Sequence, residues 1–186
     1  NNRIKGKILF PTAKDAYSNK RNYKKKELFK HFIKDHKKIK RLGIFAPHSF
    51  SDTNHASGRF IFKDYFQHFV RTLEIINRDK KTLWLVKPHP SRHFFKEEGI
   101  IEKEIEKLQS KNVYLCPKDI TPKSAILAAD IFVSGRGSIG LEAACFGKKT
   151  ILAGECFYSH LGFTYNPKSI DQYIRFIKGN PPNILS

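Results

Sequence analysis

Short runs of β-branched and aromatic residues alternate with longer amphipathic runs from about residue 41 to residue 178. This alternation is typical of parallel strands joined by helices, because two parallel neighbours need a long crossover connection. Helices on both faces also explain why the strand-like runs are apolar throughout rather than alternating. The sequence therefore predicts an α/β fold, with a parallel sheet flanked by helices.

The predicted strands are five short apolar segments, with a sixth candidate near the start of the chain. They lie at residues 42–46, 83–87, 113–116, 131–134 and 150–153, and the sixth at 8–10. Apolar side chains at three- and four-residue steps predict helices between them. In the first of these helices the stripe is Phe62, Phe66, Phe69, Val70, Leu73 and Ile76. The other predicted helices cover residues 96–109, 121–129 and 138–146, and a last one starts at Asn166 and Pro167 and stops at Gly179.

The chain divides by composition into a basic segment with a helix (1–40), one α/β domain (41–180) and a short tail (181–186). Thirty-five Lys and Arg against 17 Asp and Glu give a formal charge of +18, which favours a phosphate-bearing or polyanionic partner. The excess is densest between Lys20 and Arg41, and it is mostly Lys, which suits diffuse attraction to headgroups better than the reading of bases. A solvated helix face is the alternative explanation.

Several classes of protein are disfavoured by what the sequence lacks. It contains no apolar run of the length of a membrane span and no signal-peptide layout, so we expect the cytosol. The three cysteines form no CxxC pair, and the eight histidines show no metal-ligand spacing, so no metal site is predicted. The absence of Met leads us to expect a piece of a longer chain.

Three polar loops follow predicted strands, at residues 48–58, 88–92 and 135–138. In an open parallel sheet, ligands bind beyond the carboxyl ends of the strands, so these loops predict one cleft. In Lys87-Pro88-His89-Pro90 two prolines fix the backbone around His89, which suits hydrogen bonding to a phosphate. A simple strand-ending turn is the alternative. Asp52, in the first loop, is either a turn-forming residue or a base or nucleophile.

Residues 131–142 have the pattern of a strand, a glycine-rich turn and a helix start, which predicts backbone N–H groups that bind an anion. The residues concerned are Ser134, Gly135, Arg136, Gly137 and Ser138. Glu142 lies one turn into the helix, where it would reach ribose hydroxyls or act as a surface carboxylate. With Gly140 the glycines also spell GxGxxG, and Glu155 lies where a dinucleotide fold holds its ribose-binding acid, so an NAD-dependent oxidoreductase is an alternative.

Four segments, in this order, resemble the carboxyl-terminal half of glycosyltransferases of capsule and lipopolysaccharide biosynthesis. They are Phe50-Ser51-Asp52, Lys87-Pro88-His89-Pro90, residues 134–143 with Gly147-Lys148-Lys149, and residues 157–164. In particular, the pattern resembles retaining transferases of 3-deoxy-D-manno-octulosonic acid (Kdo), which use CMP-Kdo.

The resemblance implies a GT-B architecture, in which this chain is the Rossmann-like domain that binds the nucleotide sugar and the acceptor domain precedes residue 1. It implies that His89, with Lys87 beside it, contacts the CMP phosphate. Residues 134–138 and Glu142 would line the nucleotide site, and Asp52 would attack the anomeric carbon. Sialyltransferases and teichoic-acid-type polymerases follow a similar logic and are alternatives within the class.

The partners implied are a nucleotide-sugar donor and a lipid-linked glycan acceptor, with no nucleic acid. No metal or further cofactor is expected, because a CMP-linked sugar already carries its leaving group. The basic segment would contact the anionic inner membrane surface, where such acceptors lie. A nucleic-acid-binding module, favoured only by the charge of +18, is the alternative from another class.

Overall fold

The structure, a computed structural model, describes residues 21–33, 39–52 and 58–179. Within these ranges five strands form one parallel sheet in the order β3-β2-β1-β4-β5. The strands are β1 (Arg41–Ala46), β2 (Thr82–Val86), β3 (Val113–Leu115), β4 (Ile131–Ser134) and β5 (Lys149–Leu152). The predicted α/β sheet is confirmed, and each strand begins and ends within one residue of its predicted bounds. The candidate strand at 8–10 and the tail at 181–186 lie outside the described residues.

Helices cover both faces of the sheet. They are α1 (Lys25–Phe32), α2 (Tyr65–Asn77), α3 (Ile100–Lys107), α4 (Pro122–Ala128), α5 (Ser138–Cys145) and α6 (Ile170–Lys178), with 3-10 helices at Pro90–Phe95 and Ser159–Leu161. Side-chain caps explain several of the starts: Asp64 accepts a hydrogen bond from the Gln67 N–H, and Thr121 accepts one from the Ser124 N–H.

Two predicted helix starts are wrong, one because of loop hydrogen bonds and the other because of the backbone conformation. The last helix begins after Ser169, which caps it through the Gln172 N–H, while the Asn166 amide donates to the Ser159 and Thr164 carbonyls and so holds a loop. The helix predicted from residue 96 begins at Ile100, because Lys96 and Gly99 both have positive φ, which a helix cannot accommodate.

The buried face of α2 also differs from the predicted stripe. Phe62 is buried but precedes the helix, and Phe66 is 43% exposed. Phe69, Leu73 and Ile76 are buried as predicted. Two polar residues, His68 and Thr72, share this buried face: the hydroxyl of Tyr173, on α6, lies 3.0 Å from His68 Nε2 and 2.8 Å from Thr72 Oγ1. These contacts join α2 to α6 on one face of the sheet, and no sequence period reveals such a pairing.

The sheet separates two apolar layers. One contains Phe69, Trp84, Ile151 and Tyr173, and the other contains Leu28, Leu42, Leu83, Ile126 and Phe132. The basic helix α1 packs against the second layer through Leu28, which is fully buried, together with the partly buried Phe29 and Phe32.

The order in which strands are added to the sheet reverses between β1 and β4: β2 and β3 lie on one side of β1, and β4 and β5 lie on the other. Open α/β sheets bind ligands at such a point. Ala46 and Ser134, the last residues of these two strands, pair with each other in register. The loops that follow β1 and β4 therefore start side by side. Among the helices of the described ranges, none is both long and apolar enough to cross a membrane.

Candidate functional site

A cleft of about 500 Å³ opens at the carboxyl ends of β1, β2 and β4. Seven of the predicted site residues line it: Lys87, His89, Ser134, Arg136, Gly137, Ser138 and Glu142. Gly135 and Asp52 do not line it, although both lie in loops that do. The His-Pro segment and the glycine-rich turn, which are far apart in sequence, thus share one cleft.

His89 follows β2 and caps the 3-10 helix at Pro90–Phe95. Its Nδ1 accepts a hydrogen bond from the Ser91 N–H at 3.2 Å and lies 3.3 Å from Ser49 Oγ. Burial, aided by the neighbouring His48, lowers the pKa of His89 to about 4, against the opposite effects of Asp52 and Glu97. The ring is therefore neutral at pH 7, and because Nδ1 accepts, Nε2 carries the proton. His89 is thus a neutral N–H donor at the cleft.

The glycine-rich turn joins β4 to α5. Gly137 caps α5 with φ +100 and ψ 164, a conformation that essentially only glycine adopts. The Tyr158 hydroxyl donates to its carbonyl and holds the turn in place. The first N–H groups of a helix have no intrahelical partner, and here they belong to residues at the cleft, Ser138 and Ile139. The turn therefore offers backbone donors to an anion.

Ser134 and Arg136 shape this turn through their side chains. The Ser134 hydroxyl lies 2.9 Å from the Ala46 carbonyl oxygen and 3.0 Å from that of Arg136, which ties β4 to β1. The Arg136 guanidinium donates to the Gly58 carbonyl at 2.9 Å and lies 5.0 Å from the centre of the Phe60 ring. Both side chains are thus engaged within the protein, although both residues line the cleft.

Glu142 and Lys87 lie at the cleft with opposite charges. Glu142 is half-buried on the first turns of α5, and burial raises the pKa of its carboxyl. Lys87 directly follows β2, where its backbone N–H donates to the Phe45 carbonyl. The side chain of another basic residue of the cleft, Arg92, forms a bidentate pair with Glu102 at 2.7 and 2.9 Å.

His48, the second residue after β1, lines the cleft and was not predicted as a site residue. Its ring stacks on Tyr65 with 4.5 Å between centroids and on His89 with 5.2 Å. A Cβ atom added to Gly137 would lie 3.8 Å from His48 Cδ2. His48 thus stands between His89 and the glycine-rich turn. The sequence could have indicated His48 as a site residue, because it closely follows a predicted strand. Its stacking on Tyr65 could not be predicted from the sequence.

The loop that carries Asp52 is anchored by Glu97. The buried carboxylate of Glu97 accepts hydrogen bonds from the N–H groups of Phe50 at 3.0 Å and of Ser51 at 2.7 Å. The Asp52 N–H contacts the Ser49 carbonyl at 3.4 Å, as in a turn, and its carboxylate lies 3.7 Å from His48 Nδ1. Residues 53–57 of this loop lie outside the described residues.

Where residues 21–33, 39–52 and 58–179 are concerned, no three His, Cys, Asp or Glu side chains cluster as they would around a metal ion. Cys116, at the far wall of the cleft, is buried, and burial raises the pKa of its thiol to about 12. It is therefore a neutral thiol.

The strand order and the cleft at the carboxyl ends of β1 and β4 define a Rossmann-like domain. The structure is similar to that of the Thermosulfurimonas dismutans KpsC beta Kdo 2,7 transferase, with a TM-score of 0.50 and 15% identity over 93% of this chain and 54% of that chain. For the beta Kdo 2,4 transferase of the same KpsC the TM-score is 0.48, with 15% identity over 72% of this chain and 40% of that chain.

The chain thus spans about half the length of these neighbours. No protein-family profile and no curated protein sequence matches it. At this identity the likeness shows the fold, and the predicted resemblance to Kdo transferases is confirmed at that level.

Proposed function

We propose that this chain is the nucleotide-sugar-binding domain of a glycosyltransferase of bacterial capsule or lipopolysaccharide synthesis, with CMP-Kdo as donor. The observation that carries the proposal is that His89 and the glycine-rich turn meet at one cleft. His48 spans the space between them, with 5.2 Å to the His89 ring and 3.8 Å to the Cβ position of Gly137. We infer that a single phosphate bound there contacts donors from both segments.

In this proposal the donor phosphate accepts hydrogen bonds from the first N–H groups of α5 and from His89 Nε2. These neutral donors are fixed before the donor binds, so they stabilise the charge that develops as CMP leaves without reorganising. Lys87 supplies a positive charge at the same cleft, and Glu142 accepts from ribose hydroxyls. The nucleophile role of Asp52 stays a prediction, and its position in the loop after β1 supports placing it near the sugar.

The NAD alternative is less well supported by the topology. The dinucleotide fingerprint belongs to the first βα unit of such a fold, but here the glycines follow β4, and β1 is followed by Pro47 and His48. Glu155 accepts from the Arg59 N–H at 2.9 Å and pairs with the Arg59 guanidinium at 3.3 Å. Its carboxylate is therefore engaged in another loop.

Calorimetric titration of the chain with CMP, CDP, UDP and NAD tests the proposal. We expect CMP to bind with the highest affinity. The variant His89→Ala should bind CMP at least tenfold more weakly. His31 is exposed, so His31→Ala is the matched control and should leave the affinity for CMP unchanged. Failure of every nucleotide to bind contradicts the proposal.

CMP-sialic acid and CDP-glycerol in the same titration discriminate the sialyltransferase and teichoic-acid alternatives. Duplex DNA that binds more tightly than CMP, with a steep salt dependence, would favour the nucleic-acid module.

The partner side of the proposal is a lipid-linked acceptor at an anionic membrane surface. Lys26 and Lys30 are exposed on α1 and Lys24 is exposed directly before it, and the buried Leu28 packs this helix against the domain. Each Lys near an anionic surface contributes about 1 kcal/mol. We expect sedimentation with vesicles containing phosphatidylglycerol and none with neutral vesicles. Replacement of the three lysines by Glu should abolish this co-sedimentation of the protein with anionic vesicles. If the variant still binds the vesicles, the proposed membrane contact is refuted.

A further inference from the structure

Two histidine rings are stacked at the cleft, and their hydrogen bonds give them different protonation patterns. The His48 and His89 rings lie 5.2 Å apart with an angle of 17° between their planes. On the other side of His48 the Tyr65 ring stacks at 4.5 Å, so His48 is held on both faces. Rings fixed in this way present their nitrogen atoms in set directions.

The nearest contact of His48 Nδ1 is the Ser49 carbonyl oxygen, 3.4 Å away. A carbonyl only accepts, so this nitrogen carries the proton, and in the neutral ring Nε2 is a bare acceptor. His89 is the reverse, because its Nδ1 accepts from the Ser91 N–H and its Nε2 carries the proton. No hydrogen bond to either Nε2 is present within the described part of the chain.

A phosphate oxygen therefore meets a donor at His89 Nε2 but a lone pair at His48 Nε2. The latter atom lies only 4.0 Å from the Cβ position of Gly137, beside the backbone donors of the glycine-rich turn. A phosphate on that turn would be repelled by the lone pair unless His48 gained a proton there. Once protonated, His48 donates to the phosphate through Nε2 and keeps its Nδ1 contacts.

We propose that His48 is a second phosphate-binding residue, and that binding of the donor phosphate draws one proton from solvent onto His48 Nε2. The inference rests on the proposed function, since it assigns the proton balance of the same site. The step forms an N–H bond at His48 Nε2 and breaks the bond that held the proton in solvent, on hydronium or on a buffer acid, which is left as water or as the conjugate base. Proton uptake raises the affinity for an anion and gives it a pH dependence that His89 alone does not produce.

Charged groups face His48 from several elements of the cleft. The Asp52 carboxylate lies 3.7 Å from Nδ1 and stabilises an imidazolium. Glu97 contributes negative charge from behind the same loop, and Glu142 lies at the cleft on α5. Positive charges that oppose an imidazolium come from Lys87 at the end of β2 and Arg136 in the glycine-rich turn, with Arg92 and Lys118 elsewhere in the cleft. His89 adds no charge of its own while burial keeps it neutral.

The test is calorimetry of this chain with cytidine 5′-methyl phosphate, whose single negative charge does not titrate between about pH 5 and pH 8. Titrations at about pH 7.5 in buffers of different ionisation enthalpy report the protons taken up. We expect about 0.5 to 1 proton per ester bound, and none with phosphate-free cytidine if that binds. The affinity for the ester should fall as the pH rises from about 7 to 9.

The variant His48→Gln keeps a polar side chain but cannot take up a proton, so it should lose the proton uptake and bind the ester about tenfold more weakly. The matched control is His31→Gln, on α1 and outside the cleft, which should leave both quantities unchanged. The inference is overturned if the ester binds with no proton uptake, or if uptake persists in His48→Gln; the proposed function survives both results. If the ester does not bind at any pH, the proposed function fails as well.

Discussion

Replacement of Gly137 by Ala tests whether the glycine-rich turn binds the phosphate. At φ +100 and ψ 164 a side chain strains the backbone by about 1–3 kcal/mol. The added Cβ itself meets only His48, at 3.8 and 4.0 Å, which is ordinary contact distance. This substitution therefore introduces backbone strain rather than a clash. We expect the turn to relieve the strain by rotating its N–H groups away from the cleft.

Gly147, at the other end of the same helix, provides the matched control. It has φ +69, and an added Cβ would meet nothing within 4 Å. Gly147→Ala should lower the free energy of unfolding by about 1–2 kcal/mol, as left-handed backbone does for any residue with a Cβ. Because Gly147 does not line the cleft, the affinity for CMP should not change.

Urea denaturation and calorimetry with CMP separate the two effects. Gly137→Ala should lower the free energy of unfolding by about 1–3 kcal/mol and weaken CMP at least tenfold, which corresponds to about 1.4 kcal/mol of lost binding. Gly147→Ala should show only the loss of stability. If Gly137→Ala loses stability but binds CMP with native affinity, the turn is not the phosphate site.

Three further predictions concern single side chains. His89→Ala should weaken CMP binding at least tenfold with an unchanged circular dichroism spectrum; unchanged affinity would make His89 a structural residue. In a chain that also carries the proposed acceptor domain, Asp52→Ala should change CMP affinity less than about threefold and abolish transfer, whereas persisting turnover would assign the nucleophile elsewhere. Burial lowers the pKa of His68 to about 3, below its value of about 6.5 in an unfolded chain, so the unfolded state binds more protons on acidification. The neutral, buried His68 therefore contributes stability that is fully present above about pH 6.5 and is lost as the pH falls. In urea denaturation the free energy of unfolding should drop by about 2 kcal/mol between pH 6.5 and pH 5 on this account. An equal drop in the variant His68→Gln would contradict the prediction.

The sequence alone was sufficient to predict the class of fold, because the signals involved are local. Short apolar runs covered on both faces identify parallel strands, and Pro122 and Gly179 mark the ends of helices within one or two residues. His89 and Gly137 were predictable for the same reason, since each lies at a fixed distance from a strand that the sequence itself reveals. What these signals lack is information about which strands become neighbours.

Only the tertiary structure places β1 beside β4, and that pairing brings His48 to the glycine-rich turn. It also engages the Ser134 hydroxyl and the Arg136 guanidinium within the protein, although the sequence favoured them as ligand contacts. Likewise, the hydrogen bond of His68 to Tyr173 links residues 105 positions apart. A hydrogen bond or a ring stack depends on distances of a few ångströms between segments remote in sequence, and local periodicity does not determine those distances.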